Sequence, residues 1–214
     1  KKVIIKLMNL FEFNEDITRE CWIAFLFHTN SNISKKVIGE FIGGDSNLNN
    51  DILIWYLELL NFVDLDLEES FRLFLTTFIL PFESQKIERI IKRFSIKFSK
   101  DNPLFLNEDL IYSLSFLMMM LHSEWHNQKV TEKMSYSQFY NLAYNLKDSE
   151  TLLDKKLVYN WFYSIIYNPL VSLDNINNYN SVILNLENKN KINNKEFENI
   201  INILSKEKKN NNIL

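Results

Sequence analysis

The segment HSEWH, residues 122–126, is a first candidate for chemistry because it carries two histidines four positions apart. On a helix, His122 and His126 would face the same side, as metal-binding histidines often do. In the zinc-metalloprotease motif, however, the glutamate directly follows the first histidine. Here Glu124 lies two positions on, roughly 200° around a helix from His122, and His28 is the only other histidine. We therefore expect no metal site, and we expect the pair to hydrogen-bond backbone near a helix end.

The segment LPFESQK, residues 80–86, is a second candidate because it puts a carboxylate between two helical-looking segments. Pro81 is one of only three prolines, and a proline disfavours helix at its own position and at the residue before it. An apolar Phe82 and the acidic Glu83 follow at the start of the next segment. Considered alone, an acid at a helix start is usually no more than favourable with the helix dipole.

Apolar residues recur at helical spacing over most of the chain and predict an all-α fold. Residues such as Ile87, Ile90, Ile91, Phe94 and Phe98 fall on one helix face. Only three glycines are present, which is few for the turns of a sheet protein. The spacing predicts helices near 2–12, 16–28, 34–42, 50–62, 67–79, 84–99, 108–122, 136–146 and 152–168.

Polar residues at the predicted helix ends support this assignment. Asp66 with Glu69 and Ser135 with Gln138 have the spacing of a capping box. Gly43–Gly44 indicates a helix end as well, because glycine suits a helix C-terminus where a left-handed residue is needed.

Two of the predicted helices have faces that could meet a partner. The helix over 109–121, DLIYSLSFLMMML, is apolar nearly all round, so it is either fully buried or offers one face to another protein. Its methionines suit an adaptable binding surface. The helix before it carries Lys86, Arg89, Lys92, Arg93, Lys97 and Lys100. The simplest interpretation of this basic set is a solvated face, and the alternative is contact with an acidic partner or a membrane surface.

Composition limits the classes of function. The chain has 214 residues, 46% hydrophobic and 24% charged, which fits one globular domain with a tail. A net charge of −3 argues against nucleic-acid binding, and no apolar run is long enough for a membrane span. The lone Cys21 cannot form an internal disulfide, which fits a reducing compartment.

Beginning at Lys1, the chain is expected to be cut from a longer protein. We expect a domain over 1–170 and an Asn/Lys-rich tail or inter-domain segment over 171–214, partly disordered or with one short helix.

Taken together, LPFESQKIERIIKRF (80–94) and IYSLSFLMMMLHSEWHNQKVTEKMS (111–135) resemble the two signatures of the Sec-seven domain, the exchange-factor domain for Arf-family small GTPases. The first family pattern is Leu-Pro-Gly-Glu-Ala-Gln-Lys-Ile-Asp-Arg. The second contains Ile-Met-Leu-Asn-Thr-Asp-Leu-His-Asn-Pro. The segments KKVIGEFIG, ESFRLFL and DNP match further family segments in the right order. The resemblance covers roughly residues 1–168.

The resemblance implies a right-handed superhelix of about ten helices with a hydrophobic groove between the signatures. The groove takes the switch regions of an Arf-family GTPase, in its GDP-bound and nucleotide-free states, without a cofactor or metal. Glu83 matches the family's invariant glutamate, which pushes into the nucleotide site and promotes GDP release without covalent chemistry. The residues implied to line or flank the groove are Phe78, Pro81, Phe82, Gln85, Lys86, Tyr112, Phe116, Met119, Met120, His126, Asn127 and Met134. The resemblance further implies a cytoplasmic regulator of vesicle trafficking that is peripheral at the Golgi or other endomembranes. Its own membrane contact is expected to be at most indirect.

Several positions depart from the family pattern. Phe82 replaces a glycine, so any positive φ at that position would cost more. His122, Glu124, Trp125 and Gln128 replace Asn, Asp, Leu and Pro, and LAYNLK (142–147) lacks the arginine of the corresponding family stretch. Family members sensitive to brefeldin tend to carry Tyr-Ser where this chain has Phe116–Leu117, whereas Met134 resembles the sensitive type. The alternative hypothesis is a helical GTPase-binding scaffold without exchange activity, and a zinc hydrolase is a distant third.

Overall fold

The computed structural model describes residues 18–105, 107–146 and 153–170, and every regular element in these ranges is a helix. The helices are α1 (Arg19–Thr29), α2 (Lys35–Ile42), α3 (Asn47–Glu58), α4 (Leu67–Thr76), α5 (Ser84–Asp101), α6 (Glu108–His126), α7 (Tyr136–Leu146) and α8 (Lys155–Tyr167). The predicted all-α class is confirmed, with eight helices in the described ranges rather than about ten. The predicted helix near 2–12 and the segment 171–214 lie outside the described residues. Within those residues no helix is both long and apolar enough to span a bilayer.

Helices α5 and α6 form a central pair, on which α3, α4, α7 and α8 pack. Helix α1 packs on α3, and α3 packs on α5, whereas α6 contacts α4, α7 and α8. Five phenylalanine rings fill the space between α4, α5 and the turn before α4, and in this cluster Phe94 stacks on Phe74 with ring centroids 5.4 Å apart. The rings are those of Phe62, Phe71, Phe74, Phe94 and Phe98. Each of these side chains is fully buried, so this cluster holds the C-terminal half of α5 in place.

Polar caps begin most of the helices, as the sequence predicts. The Asp66–Glu69 capping box at α4 has both of its hydrogen bonds. At α7, the Ser135 hydroxyl accepts from the backbone N–H of Gln138. The side-chain Oε1 of Gln138 accepts in turn from the backbone N–H of Ser135 at 2.8 Å. Glu83 differs, because it holds the N-cap position of α5 without a side-chain capping bond. Its carboxylate is therefore left for another partner.

The ends of several helices differ from the predicted ones, among them those of α3 and α4. Helix α3 begins earlier, at Asn47, and ends at Glu58 because the following residues turn back onto the end of α5. In that turn the backbone N–H of Phe62 donates to Oδ2 of Asp101 at 3.1 Å, and Asp64 adopts a positive φ of 61°. Helix α4 ends at Thr76.

Helix α6 continues beyond its predicted end and includes all of HSEWH, reaching His126. No proline or glycine interrupts this segment, so nothing in it ends the helix.

The glycines of α2 serve close packing, which corrects the prediction of a left-handed cap. Gly43 is the C-cap of α2, but its φ is −78°, and no described glycine has a positive φ. A Cβ on Gly39 would lie 1.8 Å from the carbonyl oxygen of Ile79, and one on Gly43 would lie 2.8 Å from Cβ of Lys86. The missing side chains let α2 lie directly against the chain on both sides of Glu83.

His28 joins α1 to α3. Its ring stacks on Tyr56 at a centroid distance of 3.8 Å, and its Nε2–H donates to the Tyr56 carbonyl oxygen at 2.9 Å. That carbonyl belongs to the last turn of α3, where backbone acceptors lack a partner within the helix. Burial lowers the pKa of His28 from 6.5 to about 4, because the charged imidazolium is poorly solvated there.

We expect the free energy of unfolding to fall as the pH is lowered from 7 to 5. The unfolded chain binds a proton at His28 near pH 6.5, whereas the folded chain binds it only near pH 4. The stabilisation is therefore present above pH 6.5 and is lost towards pH 4, with about 2 kcal/mol lost at pH 5. Urea denaturation at a series of pH values measures it.

The control is His28→Gln, whose amide can still donate to the Tyr56 carbonyl but does not titrate. Its unfolding free energy should fall less between pH 7 and pH 5, by about the same 2 kcal/mol. His122, whose pKa is also lowered to about 4, contributes equally in both proteins. Identical pH slopes for the two proteins would contradict the assignment to His28.

Candidate functional site

Glu83 is presented on a short connection between α4 and α5. Hydroxyl groups of Thr76 and Thr77 donate to carbonyls of the last turn of α4, and the Ile79 N–H donates to the carbonyl of Lys35 at 3.0 Å. Pro81 is buried against the body of the protein. Beyond it, Phe82 is 90% exposed. The connection is thus anchored up to Pro81 and leaves its two following side chains in solvent.

The Phe82 backbone shows no strain. Its φ is not positive, so it does not adopt the conformation that would have favoured the family glycine. The expected cost at this position is therefore absent, and Phe82 instead adds an exposed aromatic ring directly before the acid.

The Glu83 carboxylate forms an ion pair with Lys86 on the first turn of α5. The distance from Lys86 Nζ to Glu83 Oε1 is 2.7 Å, and the same Nζ lies 2.8 Å from Oε2 of Glu40 on α2. Hydrogen bonds to Glu40 and then to Glu83 raise the pKa of Lys86, so the ammonium stays charged. The Glu83 side chain is nevertheless 66% exposed, so the pair is accessible from solvent and is weakened by screening.

Helix α6 is buried on one face and offers partly accessible apolar side chains on the other. The accessible apolar stripe consists of Tyr112, Phe116, Met119 and Met120, which recur at i, i+4, i+7 and i+8. The Tyr112 and Phe116 rings meet edge to face with centroids 5.0 Å apart. Of the two interpretations left open by the sequence, a one-sided helix is therefore the one observed.

The helix that begins after Glu83 also contacts the start of the apolar stripe. Tyr112 forms a hydrogen bond with Glu88 on α5, and burial followed by the charge of Glu88 raises the pKa of Tyr112. Glu88 follows Glu83 by five positions, which is about 7.5 Å along a helix axis. The start of the apolar stripe therefore lies within about two helical turns of Glu83 along the α5 axis.

Two departures from the family pattern hold the segment after α6 in place. Oε2 of Glu124 accepts the backbone N–H of Met134 at 3.1 Å, and Nε1–H of Trp125 donates to the Met134 carbonyl at 2.9 Å. Lys133 donates to the carbonyls of Glu124 and Asn127 at the end of α6. Glu124 and Trp125 replace a family aspartate and leucine, and here their bonds fix the course of residues 127–135.

The two histidines of HSEWH bond to backbone, as expected. Nε2–H of His126 donates to the Ile165 carbonyl in the last turn of α8 at 2.8 Å. Nδ1 of His122 accepts the N–H of Leu170 at 3.1 Å. Burial, and next the neighbouring His126, lower the pKa of His122 to about 4, which favours the neutral acceptor. Among the described residues no cluster of three metal-ligating side chains is found.

The basic residues of α5 are engaged within the protein. Arg89 donates to the carbonyl of Gly43 at 2.9 Å, and Arg93 donates to Oδ1 of Asn50 at 2.7 Å. Lys97 and Lys100 pair with carboxylates at the ends of α5 and α3. Interpreting this set as a solvated face is therefore wrong for most of its members, because their charges connect α5 to α2 and α3.

Three predicted groove residues are buried in this structure. Phe78 is 2% exposed because its ring packs on Tyr56 and Phe74, and Met134 is 7% exposed, with its backbone carbonyl bonded to Trp125. Pro81 is buried as well. In this structure these side chains support the surface from beneath. Those that reach solvent at least partly are Phe82, Gln85, Lys86, Tyr112, Phe116, Met119, Met120, His126 and Asn127. Their contact with a partner stays a prediction.

Sequence reasoning missed Glu40 and Glu88, which lie beside the predicted residues. Glu40 precedes Lys86 by 46 positions, and only the packing of α2 on the start of α5 brings the two together. Glu88 occupies the family's aspartate position in the first signature, so its acidic character was visible, but its hydrogen bond to Tyr112 was not.

Comparison with known proteins gives consistent matches. A family model described as the Sec7 domain matches residues 1–170. The ankyrin repeat, PH and SEC7 domain containing protein secG of Dictyostelium discoideum is 38% identical over 120 residues, which are 55% of this chain and 12% of that protein. Brefeldin A-inhibited guanine nucleotide-exchange protein 1 of Mus musculus is 30% identical over 151 residues, which are 69% of this chain and 8% of that protein. The chain thus spans only a small part of these relatives.

A solved structure with a similar fold is that of ARF1-GDP bound to a Sec7 domain complexed with Brefeldin A. The match has a TM-score of 0.64 and 32% sequence identity, and it covers 74% of this chain and 80% of that one. The chain therefore shares both sequence and helical architecture with Sec7 domains.

We expect Gly39→Ala to destabilise the protein, although alanine is the better helix former by about 1 kcal/mol. The added Cβ would meet the Ile79 carbonyl oxygen, which is backbone and cannot rotate away. Overpacking of this kind costs about 1–3 kcal/mol or more, so the clash outweighs the helix gain. Thermal and urea denaturation measure the change.

Val37→Ala serves as the control, because Val37 lies on the same helix and is 45% exposed. It should change the unfolding free energy by no more than about 0.5 kcal/mol. A Gly39→Ala protein as stable as the wild type would show that α2 does not depend on this contact.

Proposed function

The chain belongs to the Sec7 domain family, and we propose that it is a guanine-nucleotide exchange factor for an Arf-family small GTPase. It acts as an exchange catalyst without covalent chemistry, on the GDP-bound GTPase and through its nucleotide-free state. The observation that carries the proposal is the solvent-exposed carboxylate of Glu83, presented behind Pro81 without a capping role at the start of α5, which packs on the helix that bears the apolar stripe. The similarity to a Sec7 domain bound to ARF1-GDP supports the choice of partner.

Glu83 would act by electrostatic repulsion. In the family that the chain resembles, the GTPase holds GDP by its phosphates, with a magnesium ion and a lysine, and the glutamate of the exchange domain enters this site. A carboxylate about 4 Å from a phosphate charge, at an effective dielectric of about 20, repels it by roughly 4 kcal/mol. If this repulsion is felt at the transition state for release, it accelerates release about a thousandfold.

The apolar stripe would supply the binding free energy that offsets distortion of the nucleotide site. Tyr112, Phe116 and Met120 are at least partly accessible, and Tyr112 interacts with Glu88 near the start of α5. Burying such side chains against the switch regions is favourable, and the flexible methionines can adapt to the partner. Phe82 would add a further apolar contact next to the acid.

We propose that residues 1–170 form the exchange domain and that 171–214 is a tail or inter-domain segment. Its site of action would be the cytoplasmic side of the Golgi or another endomembrane, where exchange on an Arf protein regulates vesicle trafficking. Contact with the membrane would be indirect or made by other parts of a longer protein.

A GTPase-binding scaffold without exchange activity is the rival hypothesis. It is favoured by the Glu83–Lys86 ion pair, which occupies the acid in the free protein. The two hypotheses differ in one measurement, because a scaffold binds the GTPase without accelerating nucleotide release.

We expect Glu83→Lys to abolish most of the exchange activity. The substitution replaces a charge that repels the phosphate by one that attracts it, so the rate should fall about a thousandfold. Release of a fluorescent GDP analogue from a panel of Arf-family proteins measures the rate.

Asp51→Lys is the matched control, since it makes the same change of charge at an exposed position of helix α3. It should exchange at the wild-type rate. If Glu83→Lys also exchanges at that rate, the proposed mechanism is wrong. Binding by the wild type without any acceleration of release would favour the scaffold.

We expect Phe116→Ala and Met120→Ala to weaken binding to the nucleotide-free GTPase by about 1–2 kcal/mol each, because each truncation removes buried apolar contact in the complex. Calorimetry or surface binding measures the affinity, and circular dichroism shows that the helices remain.

Ile54→Ala is the control for this pair, because Ile54 is 36% exposed and Met120 is 42% exposed. Its affinity should equal that of the wild type. Unchanged affinity in both α6 variants would move the interface to another surface.

A further inference from the structure

We propose that Glu40 is a positioning residue for Glu83, because it holds the Lys86 ammonium and so allows Glu83 to leave Lys86 at low cost. The inference rests on the exchange function proposed above and adds to it a residue outside both sequence signatures. The observation behind it is that one lysine serves two carboxylates, one from α2 and one from the connection before α5.

The three side chains differ in their freedom to move. The Lys86 side chain is 19% exposed, that of Glu40 is 38% exposed and that of Glu83 is 66% exposed. Lys86 is also restrained at its base, where Gly43 lies so close that an added Cβ would be 2.8 Å from Lys86 Cβ. The lysine is therefore the fixed member of the group, and Glu83 is the member with the most room to swing outward.

Reaching a phosphate on the GTPase requires Glu83 to leave Lys86. If Glu83 were the only partner, the ammonium would lose its charge-assisted hydrogen bond at that moment, and the ion pair would compete with exchange. Because Glu40 keeps its own bond to the ammonium, Lys86 stays paired while Glu83 moves. The negative charge of Glu40 also repels Glu83 and disfavours its return.

A purely structural role makes a different prediction. The Glu40–Lys86 pair also connects α2 to α5, so it could serve only to stabilise the fold. In that case its loss would lower stability and would affect GTPase binding and exchange together. A positioning role affects the exchange rate at saturating GTPase and leaves the affinity unchanged.

The experiment is Glu40→Gln in the 214-residue chain, with exchange measured at saturating Arf-family GTPase and affinity measured for the nucleotide-free form. We expect the exchange rate constant to fall about fivefold, which is the scale of one exposed ion pair, with unchanged affinity. In a Lys86→Gln background, Glu40→Gln should have no further effect, because no ammonium remains to hold Glu83.

Glu58→Gln is the matched control. The Glu58 side chain, at the end of α3, is 32% exposed and pairs with two lysines, Lys97 and Lys100, near the C-terminal end of α5 and far from Lys86. It should exchange at the wild-type rate. The inference is overturned if Glu40→Gln exchanges as fast as Glu58→Gln, if its affinity falls in step with its rate, or if its effect persists in the Lys86→Gln background.

Failure of the inference can be told apart from failure of the proposed function. If the wild type accelerates release and Glu83→Lys does not, the function stands, and an unaltered Glu40→Gln rate removes only the role of Glu40. If the wild type accelerates release from no member of the panel, both proposals are overturned together.

Discussion

The contact of α2 with the chain around residue 83 is the constraint on which the candidate site depends. Gly39 lies against the Ile79 carbonyl before the acid, and Gly43 lies against Lys86 after it. Because neither glycine has a Cβ, the two segments approach more closely than any other residue would permit. The connection between α4 and α5 is thereby held at both ends, and Phe82 and Glu83 project from it. A rigid support for a short exposed segment is what an acid needs if it is to enter another protein's nucleotide site at a defined angle.

Local features of this fold could be predicted from sequence because they depend on neighbouring residues. The helix faces follow from the spacing of apolar residues, and the capping boxes at Asp66 and Ser135 follow from residues three positions apart. The resemblance of two long motifs placed Glu83 at a site, which no local rule could do. The helical spacing of apolar residues does not predict contacts between chain segments that are distant in sequence. The burial of Phe78 depends on Tyr56 from another helix, and the pairing of Glu40 with Lys86 depends on how two helices pack.

Helix α6 shows how one element can serve two purposes. Its partly accessible apolar stripe lies near its start and middle, whereas its last turn is occupied by bonds to the rest of the domain. His126 reaches α8, His122 reaches the segment after α8, and Glu124 and Trp125 hold Met134. Three of these four residues differ from the family pattern, and each still finds a partner within the protein. The substitutions therefore change the internal connections of the helix end and leave the stripe as it is.

Phe82 has a consequence for how such a domain can diversify. Its ring is 90% exposed and its backbone has no positive φ, so almost nothing in the fold depends on this side chain. Substitutions at such positions usually change stability by less than about 0.5 kcal/mol. Mutation at residue 82 can therefore be selected for its effect on a partner alone, without a compensating change elsewhere. A position adjacent to the proposed functional acid, yet free of folding constraints, is where related domains can diverge in partner preference while the acid itself is retained.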